Sequence, residues 1–321
     1  MKGVTIYLGS RCNLSCAYCH RQAEEGEHGV TDEFLAFLKE KQFDRIRFIG
    51  GEPTLYFEDI RKVVAALPAA DYSITTNGVG IERFLPFFEV HRFLVCVSYD
   101  GSEVNRRGFD PFTHLLQYPW LGVSCTLYHG NTDMKAILRR FAEKEKIIGR
   151  PLSFFPHIAH VTAGKEPWFM LTHEDMDSIL SQYKELLGGF VEDYVQRGIV
   201  NTRLLGLFRQ LQMAVNRNYE FGETYCVNRS LMKTDTDGRC LSCLYLRGVK
   251  YSWDRWQEEQ GRFIASRFPG CRTCPVYSMC GAACIKSVRH ADECYFYKNL
   301  YTWFRRTYEP HRELLDRLEG W

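Results

Sequence analysis

The sequence predicts an α/β protein, a partial (β/α)6 TIM-like barrel followed by a small Cys-rich domain. Three observations lead there. Short β-type runs alternate with helical stretches from residue 4 to about residue 157, Gly-rich and polar loops recur after successive strands, and cysteines crowd the segment from Tyr219 to Tyr297, where regular periodicity fades. Strand, helix, strand in regular alternation argues for parallel pairing with right-handed crossovers. Six such strands make an open barrel rather than a closed eight-stranded one.

The strands, in order, are VTIYL (4–8), RIRFIG (45–50), DYSITT (71–76), FLVCVS (93–98), GVSCTLY (122–128) and PLSFFPH (151–157). Helical patterns fill the gaps: TDEFLAFLKEK from Thr31, FEDIRKVVAAL from Phe57, IERFLPFFEV from Ile81 and TDMKAILRRFAEKEK from Thr132. Beyond residue 171 the pattern turns to long helices, LTHEDMDSILSQYKELLGGFVEDYVQRG with Thr172 as N-cap and Asp175 at the third helical position, then TRLLGLFRQLQMAVNR. KNLYTWFRRTYEPHRELLDRLEGW closes the chain as an amphipathic helix that Pro310 kinks or splits. The expected organisation is a barrel with a helical extension over 1–218, a Cys-rich domain over 219–298 and a C-terminal helix over 299–321.

With 321 residues, 45% of them hydrophobic, the chain can bury a sizeable core. Its 41 basic and 39 acidic residues leave a formal charge of +2, so no overall field draws it to nucleic acid or to an anionic membrane. The apolar stretch at the amino terminus is too short for a signal-peptide core, and no run suits a membrane span. A soluble, cytoplasmic protein is expected, and the cytoplasm keeps thiols reduced. Thirteen cysteines then need a role other than disulfides. Cys96 and Cys125 stand alone in the apolar runs FLVCVS and VSCTLY and read as buried small hydrophobes. The other eleven fall into two groups.

The first group is Cys12, Cys16 and Cys19, a CxxxCxxC triad directly after the first strand. At this cysteine content roughly 0.02 such triads arise by chance. Thiolates select iron-sulfur clusters, zinc or copper(I). A structural zinc ion needs a fourth ligand, for which His20 is available, but adjacent residues such as Cys19 and His20 seldom converge on one tetrahedral ion. Three thiolates around four irons instead leave one iron open to a chelating substrate.

In this arrangement the chain resembles the radical S-adenosylmethionine (SAM) superfamily. The resemblance implies that the open iron chelates the amino and carboxylate groups of SAM, and that an electron from the cluster cleaves the sulfonium to leave a 5′-deoxyadenosyl radical. Gly50-Gly51-Glu52-Pro53, after the second strand, resembles the family's GGEP segment, whose backbone meets the methionine amino group; glycine lets a backbone approach a ligand closely. Alone, the same four residues read as a tight turn. The resemblance further implies that Tyr18 lies beside the adenine and that Thr75, Thr76, Asn77 and Ser98, at the ends of the third and fourth strands, contact the ribose and carboxylate. Arg106 or Arg107 resembles a carboxylate-binding arginine, at a shorter spacing than the family's. Turn-forming Ser, Thr and Asn also have a purely structural explanation.

The second group reads Cys226, Gly238-x4-Cys243, Cys271-x2-Cys274-x5-Cys280-x3-Cys284 and Cys294, which resembles the seven-cysteine SPASM domain. That resemblance implies two auxiliary 4Fe-4S clusters, three clusters in all, with one site from Cys226, Cys243 and Cys284 and the other from Cys271, Cys274, Cys280 and Cys294. Two departures stand out. Sulfatase-maturing members carry a further cysteine shortly after the first, where this chain reads VNRSLMK, and Cys240 is extra. Cys240 either completes the first auxiliary site or leaves it with an open iron. Zinc staples are the structural alternative for both groups.

SPASM enzymes mostly modify peptides, so the leading expectation is a maturase for a ribosomally made peptide, forming a crosslink, a thioether or an epimer. The auxiliary clusters would carry electrons, with flavodoxin or ferredoxin as donor. Oxidation of a small molecule such as an aminoglycoside or alcohol is the runner-up, and an iron-sulfur electron carrier or sensor is a different class. The chain enters its first strand by residue 4, so leader recognition would fall to a separate protein or to an edge strand accepting the leader by β-addition. Near strand ends, Tyr99, Asp100, His157 and His160 are candidates to face substrate. Asp100 could position a peptide amide or alcohol for catalysis, although in Tyr-Asp-Gly it also suits a turn.

Overall fold

The computed structural model describes residues 2–16, 18–19, 29–68, 70–101, 110–159, 167–243, 246, 248–287 and 289–320. Nine strands are present among them: β1 (Gly3–Tyr7), β2 (Arg45–Ile49), β3 (Asp71–Thr76), β4 (Leu94–Ser98), β5 (Leu121–Leu127), β6 (Pro156–Ile158), β7 (Leu231–Asp235), β8 (Cys240–Leu241) and β9 (Lys250–Tyr251). The helices are α1 (Asp32–Lys41), α2 (Phe57–Ala66), α3 (Leu85–Val90), α4 (Met134–Ile148), α5 (His173–Arg197), α6 (Thr202–Asn216), α7 (Trp256–Arg267), α8 (Tyr277–Cys280), α9 (His290–Tyr308) and α10 (Arg312–Leu315).

Each strand from β1 to β6 pairs in parallel with the next. The α/β class and the partial barrel read from the sequence therefore hold. One extension was not legible. On the other edge of β1, β7 adds a further parallel strand, in register from Gly3 opposite Leu231 to Tyr7 opposite Asp235, and β8 and β9 follow it antiparallel. Lys233 and Asp235 interrupt what would otherwise be an apolar run, so hydrophobic patterning passes over this strand. At the opposite end β6 is shorter than PLSFFPH suggests: the backbone ahead of it is diverted, with Phe154 N–H donating to the Arg203 carbonyl at 3.2 Å.

The chain divides into two compact units, one of Met1–Tyr99, Glu103–Ser124 and Gly222–Phe263, the other of Asp100–Ser102, Cys125–Phe221 and Ile264–Trp321. In the first unit, burial along β2, β3 and β4 alternates residue by residue. Ile46, Phe48, Tyr72, Ile74, Val95 and Val97 are buried on one face, where Phe48, Tyr72 and Phe93 stack with ring centroids 5.1–6.2 Å apart. Burying each such ring contributes about 2–3 kcal/mol. A parallel sheet covered on both faces reads as continuous apolar runs. Here the second face carries Thr5, Arg47, Ser73, Thr75 and Ser98, the composition of a surface that meets a ligand or solvent.

Local signals set the helix ends. Thr31 caps α1 by accepting from Phe34 N–H at 3.2 Å, and Asp133, one residue inside the expected start at Thr132, caps α4 through Ala136 N–H at 2.8 Å. Pro86 divides the expected helix from Ile81 into a 3-10 turn at Ile81–Arg83 and the short α3. In the second unit, Thr172 and Asp175 form the expected capping box of α5, which stops at Gly198 in the left-handed region. The last long helix, α9, starts at His290 and so takes in Cys294, and the chain breaks at Pro310 into a 3-10 turn and α10, as the proline demands.

Candidate active site

The loop after β1 carries Cys12, Cys16 and Cys19, all half-buried. Its position is set by close backbone packing. Gly51 N–H donates to the Gly9 carbonyl and Glu52 N–H to the Arg11 carbonyl, each at 2.8 Å, so the end of β2 is laced to the start of the cysteine loop. A Cβ on Gly50 would fall 2.6 Å from the Gly9 oxygen, and one on Gly51 would fall 2.2 Å from the Arg11 oxygen. The two glycines are thus required by the protein's own backbone. Tyr56, in the 3-10 turn after Pro53, accepts from Arg11 N–H at 2.8 Å and lies under the Arg11 guanidinium at 4.6 Å.

Glu52 points inward and is 1% exposed. Its Oε1 accepts from Thr54 N–H (3.1 Å), Thr54 Oγ1 (2.8 Å) and Thr76 Oγ1 (2.8 Å), and its Oε2 accepts from Asn77 N–H (2.8 Å). Burial pushes its carboxyl above the usual range, and the donors from Asn77, Thr54 and Thr76 pull only part of the way back. The Glu52 side chain is therefore a tie between the ends of β2 and β3. Asn77 continues the tie, donating from Nδ2 to Asn13 Oδ1 at 2.8 Å and toward Cys12 Sγ at 3.8 Å, while Leu14 N–H reaches the same sulfur at 3.4 Å. Nitrogen donors aimed at a sulfur fix the orientation of its side chain. Asn13, Gly9 and Tyr56 were not singled out from sequence; only the packing of the two loops gives them a part.

Of the other candidates in this unit, Thr75 accepts from Arg47 Nη2 at 2.8 Å, Ser98 ends β4 half-buried, Tyr18 is half-buried between the second and third cysteines, and Tyr99 is buried edge-on against Phe112. Arg106, Arg107, His20 and His160 lie outside the described residues. Asp100 and His157 belong to the second unit. Asp100 is 2% exposed, its carbonyl accepts from Asn131 Nδ2 at 3.0 Å, and Gly101 beside it has φ 70° with its carbonyl held by Arg140. That is the geometry of a packed turn. His157 is exposed on β6.

The second cysteine group is divided between the units. In the first, Cys240 is wholly buried among Val227, Met232 and Tyr251, with Cys226 packed on the same cluster, and burial pushes the Cys240 thiol up to about 12. Cys243 is 6% exposed. In the second, Cys271, Cys274, Cys280 and Cys294 share one electrostatic neighbourhood. Burial first, then Cys280, Cys294 and Cys274, drive the Cys271 thiol up to about 11. Cys280 is likewise raised to about 11 by burial, against the backbone N–H groups of Ala282 and Ala283. Those two alanines have φ of 64° and 52°, a left-handed run that costs L-residues energy and turns consecutive N–H groups toward one point. His290 Nε2 sits 3.9 Å from Cys271 Sγ and its ring stacks on Phe268 at 3.6 Å. N–H donors on the Cys280 sulfur are of the kind that supports sulfur ligands. Among the described residues, no three His, Cys, Asp or Glu side chains are grouped to hold a single metal ion, and no helix is long and apolar enough to cross a membrane.

A parallel partial barrel with three cysteines on its first loop, laced to GGEP, defines a class. Residues 6–98 match the model of the Radical SAM superfamily, a family whose members hold a 4Fe-4S cluster and SAM, so this part of the chain is similar to a radical SAM domain. Among individual proteins, it is similar to the probable GTP 3′,8-cyclase of Methanocella arvoryzae, 39% identical over 84 residues, covering 24% of this chain and 27% of that protein. It is similar also to the GTP 3′,8-cyclase of Chlorobaculum tepidum, 36% identical over 118 residues, covering 34% and 36%. The matched stretch thus spans about a third or less of these relatives. Among solved structures, anSMEcpe with bound AdoMet and the Kp18Cys peptide is similar over 99% of this chain and 100% of that one, with a TM-score of 0.65 at 20% identity. A histidine-tagged form of anSMEcpe with bound AdoMet reaches 0.67 over 99% of both chains. At that identity the likeness is one of fold.

Proposed function

We propose that the chain is a radical SAM enzyme that modifies a peptide substrate, with SPASM-type auxiliary clusters carrying electrons. The observation that carries this reading is the extent of the fold likeness to anSMEcpe, a protein solved with AdoMet and a peptide, which runs through the Cys-rich segment as well as the barrel. In this reading Cys12, Cys16 and Cys19 hold the SAM-binding cluster, Cys271, Cys274, Cys280 and Cys294 hold one auxiliary cluster, and Cys226, Cys243 and Cys284 supply the other, making three 4Fe-4S clusters. When bound, the first cluster with SAM supplies a carbon-centred radical that removes hydrogen from unactivated carbon.

The protein's own residues do the positioning. Asn77 and Leu14 N–H steady Cys12, Glu52 fixes the loop that bears Asn77, and the lacing of Gly50 and Gly51 to residues 9–11 sets the height of the cysteine loop against β2. Tyr18, the backbone of Gly50 to Pro53, Thr75, Asn77 and Ser98 are the candidate SAM contacts.

The test is anaerobic reconstitution. About twelve irons per chain and release of 5′-deoxyadenosine with reductant are expected, together with a mass change or deuterium uptake in a peptide encoded beside the gene. Stoichiometric zinc would remove the auxiliary clusters from the reading. The 33–39% identity to GTP 3′,8-cyclases in part of the chain favours a second reading, a nucleotide substrate. Conversion of GTP, with peptides untouched, would select it.

A further inference from the structure

Across the polar face of the first unit's sheet, Lys233, Thr5, Arg47 and Ser73 form a single row. Thr5 is in register with Lys233 on β7 and with Arg47 on β2, and Arg47 is in register with Ser73 on β3. Registered neighbours in a ladder share a face, and adjacent strands lie roughly 4.8 Å apart, so two cations flank the Thr5 hydroxyl at about 10 Å backbone separation.

The unusual member is Lys233, only 7% exposed. Its ammonium has no hydrogen-bond or ion-pair partner among the described residues. Its aliphatic length is covered, while the ammonium, which is not among the buried unpartnered atoms, keeps its tip at solvent and open to a ligand. The neighbouring acids are committed elsewhere: Asp235, one rung toward the carboxyl ends, accepts from Lys250 at 2.6 Å, and Asp71, one rung the other way, stands opposite Arg45. Arg47 is exposed, and its Nη2 is held by Thr75 Oγ1 at 2.8 Å, so the guanidinium is steadied while other N–H groups remain to meet a ligand.

We propose that this row is a binding subsite for an anionic group of the substrate, a carboxylate or a phosphate, held between Lys233 and Arg47 above Thr5 and Ser73. The anion pairs with the Lys233 ammonium, and the hydroxyls and guanidinium complete its hydrogen bonds. No cysteine takes part, so the subsite goes beyond the cluster reading and does not depend on it. Acidic side chains or the carboxyl terminus of a peptide would bring a carboxylate; a nucleotide would bring phosphate.

Thermal unfolding of the full-length, cluster-loaded protein tests this, with tripolyphosphate or glutarate added against sodium chloride of equal ionic strength. At least one anion is expected to raise the wild-type midpoint, since a ligand that binds only the native state stabilises it. Lys233→Met is expected to fold, because it keeps the covered aliphatic length, and to lose the anion response, because it removes the ammonium. Arg47→Gln should weaken anion binding at least tenfold while folding normally. A response to tripolyphosphate alone assigns the subsite to phosphate, and one to glutarate alone assigns it to carboxylate. Variants that respond as fully as wild type, or a wild type indifferent to both anions, would each overturn the proposal. Iron content of the same preparations reports separately on the cluster reading.

Discussion

Gly51 shows how one side-chain-free position governs the cysteine loop. A methyl group there would enter the space of the Arg11 and Ser10 carbonyls, at 2.2 and 2.4 Å, and backbone on both sides leaves no flexible atom to yield. Gly51→Ala is therefore expected to displace the loop and cut iron incorporation at the first site by at least half, with the remaining clusters retained; iron analysis with EPR of the reconstituted protein measures it. The GGEP motif was legible in the sequence for its glycines, where close approach to a ligand was the expected need; close approach to residues 9–11 is a further one that the structure adds. For Glu52 the expected contact was by backbone, and the structure gives its carboxylate a separate task in holding Thr54, Thr76 and Asn77. Such inward-facing ties join residues distant in sequence, so spacing alone carries no trace of them.

Among the elements, the β7–β8 hairpin is held at its turn by charge. Lys250 bridges Asp235 and Asp237, and Gly238 adopts φ 76° as the turn requires. Burial works to raise Asp237, but hydrogen bonds from Asp235 and Lys250 outweigh it and bring the carboxyl down to about 2. A carboxyl depressed in the folded state contributes stability that is present above its unfolded value of 3.8 and lost as pH falls through about 2. Wild type is accordingly expected to lose stability between pH 4 and pH 2 more steeply than Asp237→Asn, in denaturant titrations across that range. In the other unit, Thr172→Ala removes the capping hydroxyl of α5 and is expected to cost about 1 kcal/mol, with the helix retained by circular dichroism. Helix caps and the first five strands were readable because each is encoded within a few residues. β7 was not, because its assignment depends on pairing with β1, more than two hundred residues earlier in the chain.

For the molecule as a whole, the cysteine array divides the chain's stability into two kinds. The barrel strands have an aromatic and aliphatic core of their own, while the segment from Tyr219 to Tyr297 has short strands, short helices and many thiols. On the proposed cluster reading, iron removal by chelation under reducing conditions is expected to open that segment to protease before the barrel, because metal binding there would double as folding energy. Mass mapping of the first cleavage sites checks this, and first cuts within residues 45–98 would contradict it. The near balance of charge, +2 overall, leaves recognition to local features of the site rather than to a long-range field.

The alternation of burial along β2, β3 and β4 has an evolutionary corollary. Side chains on the two faces of these strands answer to separate selective pressures: Phe48, Ile74 and Val95 are locked by their neighbours, while positions 47, 73, 75 and 98 can drift without disturbing that packing. A scaffold organised in this way can acquire new specificities one polar residue at a time, and combinatorial libraries confined to those four positions should yield mostly folded variants.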